Sequence, residues 1–452
     1  MISADIRKKH TFSPAKSLAL SFLVLIMIGT VLLYLPFSSD KKVGVLDALF
    51  TSTSATCVTG LVVYDTGTHW TLTGQIIILL LIQLGGLGIM TFSTLGAYII
   101  AGKLNMRNRQ MIEGSLGGKH IANLGKLLLA IVAGTMIIEM SGALILTFSF
   151  LKHYPLFKAI YMGVFHSISA FCNAGFSLFS NSLENFQNDI IINITIMVLI
   201  VTGGIGFWVL FESLHLLKNR SEKLGLHSKI VISTTFVLIF TGFIALLILE
   251  WNNTLSDMTF PGKVMNAAFQ SITARTAGFN TVKIETMTNS SLLILLLLMF
   301  IGASPGSCGG GVKTTTFAVL SAMIFSRLRD QRQVRLFKRG IPEHVVSKSI
   351  GIIFIALFFL TMIIIVLLIT ENPGSSYIPL RTLFLEVIFE SFSAFGTVGL
   401  SMGLTPLLSF AGKLLITLLM YIGRIGPLTV ALAIAGRKDL RLRLAEEELW
   451  VG

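Results

Sequence analysis

The chain has 452 residues, of which 53% are apolar and only 13% charged, and its mean hydropathy is +0.81. A soluble protein carries about a quarter of its residues as charges, so a water-soluble globule, a disordered chain and a collagen-like fibre are excluded. The net charge of +13 does not point to nucleic acid either, because apolar runs of about twenty residues suit a bilayer and not a groove.

In chain order, residues 17–36, 74–101, 127–151, 190–211, 230–249, 290–326, 349–370 and 414–436 are long and apolar enough to span as helices. The first follows Arg7, Lys8, Lys9 and Lys16 but lacks a small-x-small cleavage site, so it reads as a retained helix. Three of the eight carry a flaw: Glu139 in the third, Arg424 in the eighth, and a Gly-rich stretch with Lys313 in the sixth. With the termini and the loops near residues 102–126, 215–229 and 327–348 on one side, that side holds 24 of the 35 Lys and Arg residues. Positive residues favour the cytoplasm, so both termini are expected there and the chain in the plasma membrane.

Between each odd-numbered span and the next lies a short amphipathic stretch ending in glycine. The four run from Phe50 to Gly60, Phe165 to Gly175, Phe269 to Gly278 and Phe389 to Gly399, the third one residue shorter. Each has Ser two residues after the Phe, Ser or Thr two later, then Ala, then the terminal Gly followed by Leu or Phe. The glycines stand 115, 103 and 121 residues apart. A second pattern recurs 25, 28, 24 and 24 residues further on, as Leu84-Gly85-Gly86-Leu87-Gly88, Thr202-Gly203-Gly204-Ile205-Gly206, Ile301-Gly302-Ala303-Ser304-Pro305 and Ile422-Gly423-Arg424-Ile425-Gly426. The glycines of this second pattern read as helix-packing positions.

The pattern predicts an all-α polytopic membrane protein made of four parallel helix–pore-loop–helix repeats with pseudo-fourfold symmetry. Their expected limits are residues 1–101, 102–218, 219–327 and 328–452. Each unit starts and ends on the cytoplasmic side, so the symmetry axis lies along the membrane normal. Backbone at membrane depth must satisfy itself, line water or be buried in protein. The segments Thr56-Cys57-Val58-Thr59-Gly60, Cys172-Asn173-Ala174-Gly175, Thr276-Ala277-Gly278 and Gly396-Thr397-Val398-Gly399 are therefore the candidate selectivity filter. Their carbonyl oxygens can replace the hydration shell of a monovalent cation, and glycine permits φ > 0 at the turn. One glycine per repeat, where K⁺ channels have Thr-Val-Gly-Tyr-Gly, predicts fewer carbonyl rings and weaker exclusion of sodium.

These four hairpins, with Thr-Val-Thr-Gly60, Asn-Ala-Gly175, Arg-Thr-Ala-Gly278-Phe-Asn and Gly-Thr-Val-Gly399, resemble the Trk/Ktr/HKT superfamily of potassium transporters over essentially the whole chain. Eight spans without an extra N-terminal pair most resemble the membrane subunit of the bacterial Ktr systems. The resemblance implies uptake of K⁺, with Na⁺ as activator or co-ion and no organic cofactor in this chain. It also implies a homodimer with one pore per protomer, docked on a cytoplasmic RCK/KTN-type ring that binds ATP/ADP or NAD(H). Membrane lipids are expected as surroundings, and nucleic acid is not a partner.

The sixth span contains Gly302-Ala303-Ser304-Pro305-Gly306-Ser307-Cys308-Gly309-Gly310-Gly311-Val312-Lys313. Proline and glycine open the helix there into a loop that must line the aqueous path. It is expected in one repeat alone, and an asymmetric segment under a symmetric filter reads as a gate. Superfamily members likewise have an intramembrane loop in the third repeat, with a matching Gly-Val-Lys-Thr-Thr end. A phosphate-binding loop fails, since the order is Gly-Val-Lys and no strand precedes it. Arg424 replaces the second glycine of the recurring pair; a mid-membrane arginine faces protein or water. It either faces the pore, where pairing with an acid or with loop carbonyls would temper its repulsion of cations, or ties the fourth hairpin to the bundle.

Of the remaining charges, Glu139 is expected to bond a neighbouring helix, and Arg275 to tie down its short helix through Glu390 or Glu386. His166 reads as a packing residue. Asp65, Glu184 and Asp189 either concentrate cations at the outer mouth or are solvated loop charges. The basic stretch 327–339 suits anionic lipid or a soluble partner, and the tail Glu446–Gly452 suits assembly on the ring. Cys57, Cys172 and Cys308 have no paired spacing, so neither a disulfide framework nor a zinc site is expected. No convergent set of nucleophile, base or metal ligands indicates an enzyme. An organic-solute transporter would instead show inverted repeats.

Overall fold

Four long apolar helices set the frame: Pro14–Tyr34 (α1), Leu124–Phe150 (α4), Leu226–Leu249 (α8) and Glu343–Thr370 (α12). The structure is a computed structural model and describes residues 14–88, 124–218, 223–331, 333–371 and 380–430. Side chains such as Val31, Ile137, Phe236 and Phe354 remain 58–71% exposed on these helices. Such faces are stable against lipid tails and not against water. The chain is a mostly helical, multi-pass membrane protein.

Each long helix is followed by a short one and then an inner one. The short helices are Val45–Thr56 (α2), Leu156–Phe171 (α5), Phe260–Thr273 (α9) and Leu380–Gly396 (α13). At 12 to 17 residues they fall below the roughly 20 needed to cross hydrocarbon. The Phe that opens each recurring motif, Phe50, Phe165, Phe269 and Phe389, is fully buried. Two residues on, Ser52, Ser167 and Ser271 donate to the carbonyls of Ile26, Glu139 and Ile239 on the long helices. Gly29, Gly142 and Gly242, three residues beyond those carbonyls, leave room for the same hydroxyls. Ser391 donates instead to Val387 of its own helix.

The inner helices are Leu72–Leu87 (α3), Ile190–Ile205 (α6), Asn289–Phe300 (α10) and Phe410–Ile425 (α14). Here the structure corrects the expected spans: none of these helices runs on unbroken, and the third is not the single exception. Gly88, Gly206 and Gly426 close α3, α6 and α14 at φ of 84°, 103° and 94°, values no α-helix contains. After Gly206 the chain resumes as Phe207–Lys218 (α7) at a bend of 103°. In the third unit the break is the loop 301–313, and helix resumes at Thr314–Leu328 (α11). The third glycine of each Gly-Gly-x-Gly-like pattern therefore serves as a break and not as a packing position. Gly85, Gly203 and Gly423 do pack as expected, each against the last carbonyls of a short helix: those of Thr56, Phe171 and Phe395.

The basic stretch 327–339 ends in a two-residue antiparallel hairpin, Arg335–Leu336 against Arg339–Gly340, the sole strand pairing among the described residues outside isolated bridges. The ends of the second and eighth expected spans, the termini, the loop 102–123 and the tail 446–452 lie outside the described residues.

Candidate functional site

The four short helices end close together, and the segments after them form a closed ring. Glycine has no Cβ, and a Cβ added to Gly60 would lie 2.6 Å from the Ala174 carbonyl oxygen. One added to Gly175 would lie 2.8 Å from that of Ala277, and one on Gly278 2.5 Å from that of Val398. One on Gly399 would meet the Thr59 carbonyl oxygen. Each glycine thus faces the residue before the glycine of the next unit, in the order first, second, third, fourth and back to the first. All four have positive φ, from 69° to 97°.

The extended part is shorter than the sequence suggests. Thr56 and Gly396 are the last residues of their helices, and Cys57 and Cys172 are right-handed caps at φ of −80° and −69°. Three residues per unit remain: 58–60, 173–175, 276–278 and 397–399. The first of each is left-handed although it is not glycine: Val58, Asn173, Thr276 and Thr397 have φ of 58°, 59°, 71° and 50°. For β-branched residues this is a strained conformation that the surroundings must impose.

The surroundings are hydrogen bonds that take up nine of the twelve N–H groups. Thr59, Ala174 and Val398 donate to the carbonyls of Ser54, Ser169 and Ser393 at 2.7–2.8 Å. Ala277 donates to Thr273 at 2.9 Å, one residue closer in sequence, which places the one-residue deletion between the third short helix and its glycine. Hydroxyls of the same four residues fasten the next backbone groups. Gly60 and Gly399 donate to Ser54 and Ser393, while Ser169 and Thr273 donate to the carbonyls of Phe176 and Phe279. Their role was legible only as the Ser or Thr that recurs in all four motifs. Among the described residues no hydrogen bond ends on a carbonyl oxygen of the twelve segment residues. Twelve backbone acceptors thus have no donor from the protein among the described residues.

On one side the ring opens into a cavity of about 500 Å³ lined by the four glycines and by Asp65, Glu184, Lys283 and Glu285. Burial raises the Glu184 carboxyl above its ordinary value, against a bond from Asn280 Nδ2 at 2.8 Å. Asp189 is elsewhere: it caps α6 through the Ile192 N–H and accepts from Ser149 Oγ. Asp65 lines the cavity and also caps the one-turn helix Thr66–His69.

On the other side of the ring lies the loop of the third unit, tied to every neighbour. Ser304 and Cys308 donate to the Gly204 and Gly203 carbonyls of α6, and Phe207 donates to Gly306. Gly311 donates to Gly423 of α14, Val312 to Phe300, and Thr314 to Ala303. Gly310 donates to the Thr397 hydroxyl at 3.0 Å, and the backbone of Gly309 and Gly310 lies against the side chains of Thr276 and Thr397, the first residues of two ring segments. Within the loop, Ser307 Oγ donates to the Ser304 carbonyl and Lys313 Nζ to that of Gly309, and Pro305 stands next to the turn at Gly306. Arg424 donates to the carbonyls of Cys308, Gly85 and Gly86, so one guanidinium joins the loop, the first unit and the fourth.

The remaining expectations divide. Glu139 accepts from Gln83 Nε2 at 3.0 Å across to α3, as expected. Arg275 is corrected: it reaches neither Glu390 nor Glu386 but donates to the Gly302 carbonyl at 3.2 Å, at the start of the loop. Glu390 is taken up by Ser401 and Thr405 hydroxyls instead. The three cysteines are free and buried, and no group of His, Cys, Asp and Glu suited to a metal ion occurs among the described residues.

A family model described as TrkH, cation transport protein, matches residues 5–439. The Ktr system potassium uptake protein B of Bacillus subtilis (strain 168) is 40% identical over 444 residues, covering 98% of this chain and 97% of the relative. The potassium/sodium uptake protein NtpJ of Enterococcus hirae is 37% identical over 453 residues, covering 99% of each. Among solved structures, the potassium transporter TrkH from Vibrio parahaemolyticus superposes with a TM-score of 0.74 over 96% of this chain and 87% of that one, at 18% identity.

Proposed function

The chain belongs to the TrkH family of cation transport proteins, and we propose that it takes up potassium through a path that runs between its four units. The carrying observation is the ring in which twelve carbonyl oxygens have no hydrogen-bond donor among the described residues while nine of the twelve N–H groups donate within their own unit. Such oxygens substitute for water around a dehydrated monovalent cation. The filter comprises Val58–Gly60, Asn173–Gly175, Thr276–Gly278 and Thr397–Gly399, in repeats that span residues 1–101, 102–218, 219–327 and 328–452.

The loop 302–313 with Arg424 is the gate. It crosses directly under the ring, and its backbone bonds to neighbours on both sides can be exchanged for water when it moves. The guanidinium that holds Cys308 also adds a positive charge below the filter, which opposes a cation until the loop shifts. Control then belongs to a cytoplasmic partner, here a nucleotide-binding ring under a homodimer, in keeping with the Ktr system of which the Bacillus relative is named a part.

Sodium has one of two roles, activator or second cargo, and the name of the Enterococcus relative favours keeping the second. Three-residue segments with one glycine each provide few stacked rings, which suits modest discrimination. Uptake of K⁺ and Na⁺ by the purified chain in liposomes, with and without the cytosolic partner, tests the reading. Equal leakage of a large organic cation, or no cation flux at all with the partner present, would overturn it.

A further inference from the structure

The position three residues before the fastening Ser or Thr differs in kind among the units: Thr51, His166, Gln270 and Glu390, all buried. The position two residues after the filter glycine differs in step with it: Val62, Ser177, Asn280 and Ser401. In the second unit His166 Nε2 meets Ser177 Oγ at 3.1 Å, and Ser177 Oγ accepts from the Phe179 N–H at 3.0 Å. His166 Nδ1 meets the Met162 carbonyl at 2.8 Å, which makes Nδ1 the protonated nitrogen and leaves Nε2 to accept from the serine. In the fourth unit Ser401 Oγ donates to Glu390 Oε1 and accepts from the Gly403 N–H at 2.9 Å, while Thr405 Oγ1 donates to Oε2 at 3.0 Å. The same chain of bonds, from short-helix acceptor to serine to turn, is thus built from unlike residues in two units.

The other two units lack it. Thr51 donates to Asp47 of its own helix, and Val62 has no hydroxyl. The Gln270 amide has no hydrogen-bond partner among the described residues, and Asn280 is engaged with Glu184 and Val282. By the order of the ring, the two units braced from the short helix stand opposite each other, as do the two that lack this brace.

We propose that His166 and Glu390 are positioning residues that fix the outer ends of two opposite filter segments and thereby set how well the ring refuses the smaller cation. A carbonyl ring closes on Na⁺ only if its backbone can move inward. A serine held from behind by its own short helix resists that movement; Val62 has no such hold, and Asn280 is held from the second unit, through Glu184, Ser182 and Leu183, and not from its short helix. The proposal rests on the potassium-filter reading above and deepens it.

The experiment measures apparent affinities for K⁺ and Na⁺ separately, by uptake into proteoliposomes of the full chain. Ser177→Ala, Ser401→Ala and Glu390→Ala should each lower the K⁺-over-Na⁺ preference by about two- to tenfold, the worth of one hydrogen bond. Ser401→Ala combined with Glu390→Ala should lower it no further than either alone. Glu390→Gln, whose amide oxygen still accepts from Ser401, should keep most of the preference. Where Glu390→Ala fails to fold, the two serine variants, each lacking one hydroxyl, carry the test. The proposal falls if both serine variants keep the wild-type preference while Gly278→Ser loses it, or if the paired variants are additive. If Gly278→Ser also keeps it, the filter reading itself has failed.

Discussion

The glycine ring and the loop beneath it touch at Thr397 and Gly310, yet they are built by opposite rules. The ring is made four times from one motif, and each copy is fixed by bonds to its own short helix. The loop is made once, and beside bonds within its own unit it is fixed by bonds to the units on either side: to Gly203, Gly204, Gly423, Thr397 and Arg424. A part braced by its own unit keeps its shape when neighbouring units shift. A part braced by its neighbours changes shape when they do. The first suits a filter and the second a gate, and variants at each should separate preference from flux.

The largest expected effect is on the ring. Gly60→Ser or Gly278→Ser places a Cβ against the backbone of the next unit at a positive φ. Left-handed strain costs about 1–2 kcal/mol and overpacking about 1–3 kcal/mol, so the K⁺-over-Na⁺ preference should fall by tenfold or more in competition uptake. An unchanged preference would remove the filter assignment.

The next is on the loop and should leave preference alone. Arg424→Gln keeps a hydrogen-bonding end but loses the charge-assisted bonds, each worth about 1.5–3 kcal/mol. Flux should rise about tenfold, and deletion of residues 306–310 should raise it as well. Both variants are read by initial uptake rates at saturating K⁺. If flux stays level in both, the loop is scaffold and the comparison collapses.

What could be read beforehand follows the same division. The fourfold motif is local and periodic, so Phe50, Ser54, Gly60 and their counterparts announced the short helices and the turns. Left-handed Val58, Asn173, Thr276 and Thr397 were not legible, because the residue types resist that conformation and only the bonds of Ser54 and its counterparts enforce it. The breaks at Gly88, Gly206 and Gly426 were masked by apolar sequence on both sides; their signal was the third glycine, which was read as packing. The partner of Arg275 was missed for another reason. A carboxylate is the obvious mate for a guanidinium, but the Gly302 carbonyl is brought to it by a loop 27 residues away.

A smaller effect tests the frame outside both regions. Glu250 follows the last residue of α8, where burial would raise its carboxyl. Bonds from Ser291, Thr288 and Thr254 outweigh this and bring it down to about 2. A depressed pKa means the stabilisation is present above the ordinary value of about 4.5 and is lost as pH falls through about 2. Thermal melting of the detergent-solubilised chain should therefore drop over that window, and Glu250→Gln should flatten the drop. A variant with the same slope as wild type would assign the acid sensitivity to other groups.

The smallest expected effect concerns the closure of the circle. Lys413 Nζ on α14 meets Asp47 Oδ1 on α2 at 2.7 Å, joining the fourth unit to the first, with the side chains 17% and 14% exposed. Asp47 also accepts from Tyr64 Oη at 2.8 Å, so Lys413→Met leaves the carboxylate with one partner. The loss should be about 1 kcal/mol, read as a fall of about 2 °C in Tm. Preference and flux should both stay at wild type, because the fastening bonds of the first and fourth segments run to Ser54 and Ser393 of their own short helices and not through Lys413 or Asp47. A changed K⁺-over-Na⁺ preference in Lys413→Met would mean that the ring depends on contacts between units after all, and that its geometry and the loop's respond to the same movements.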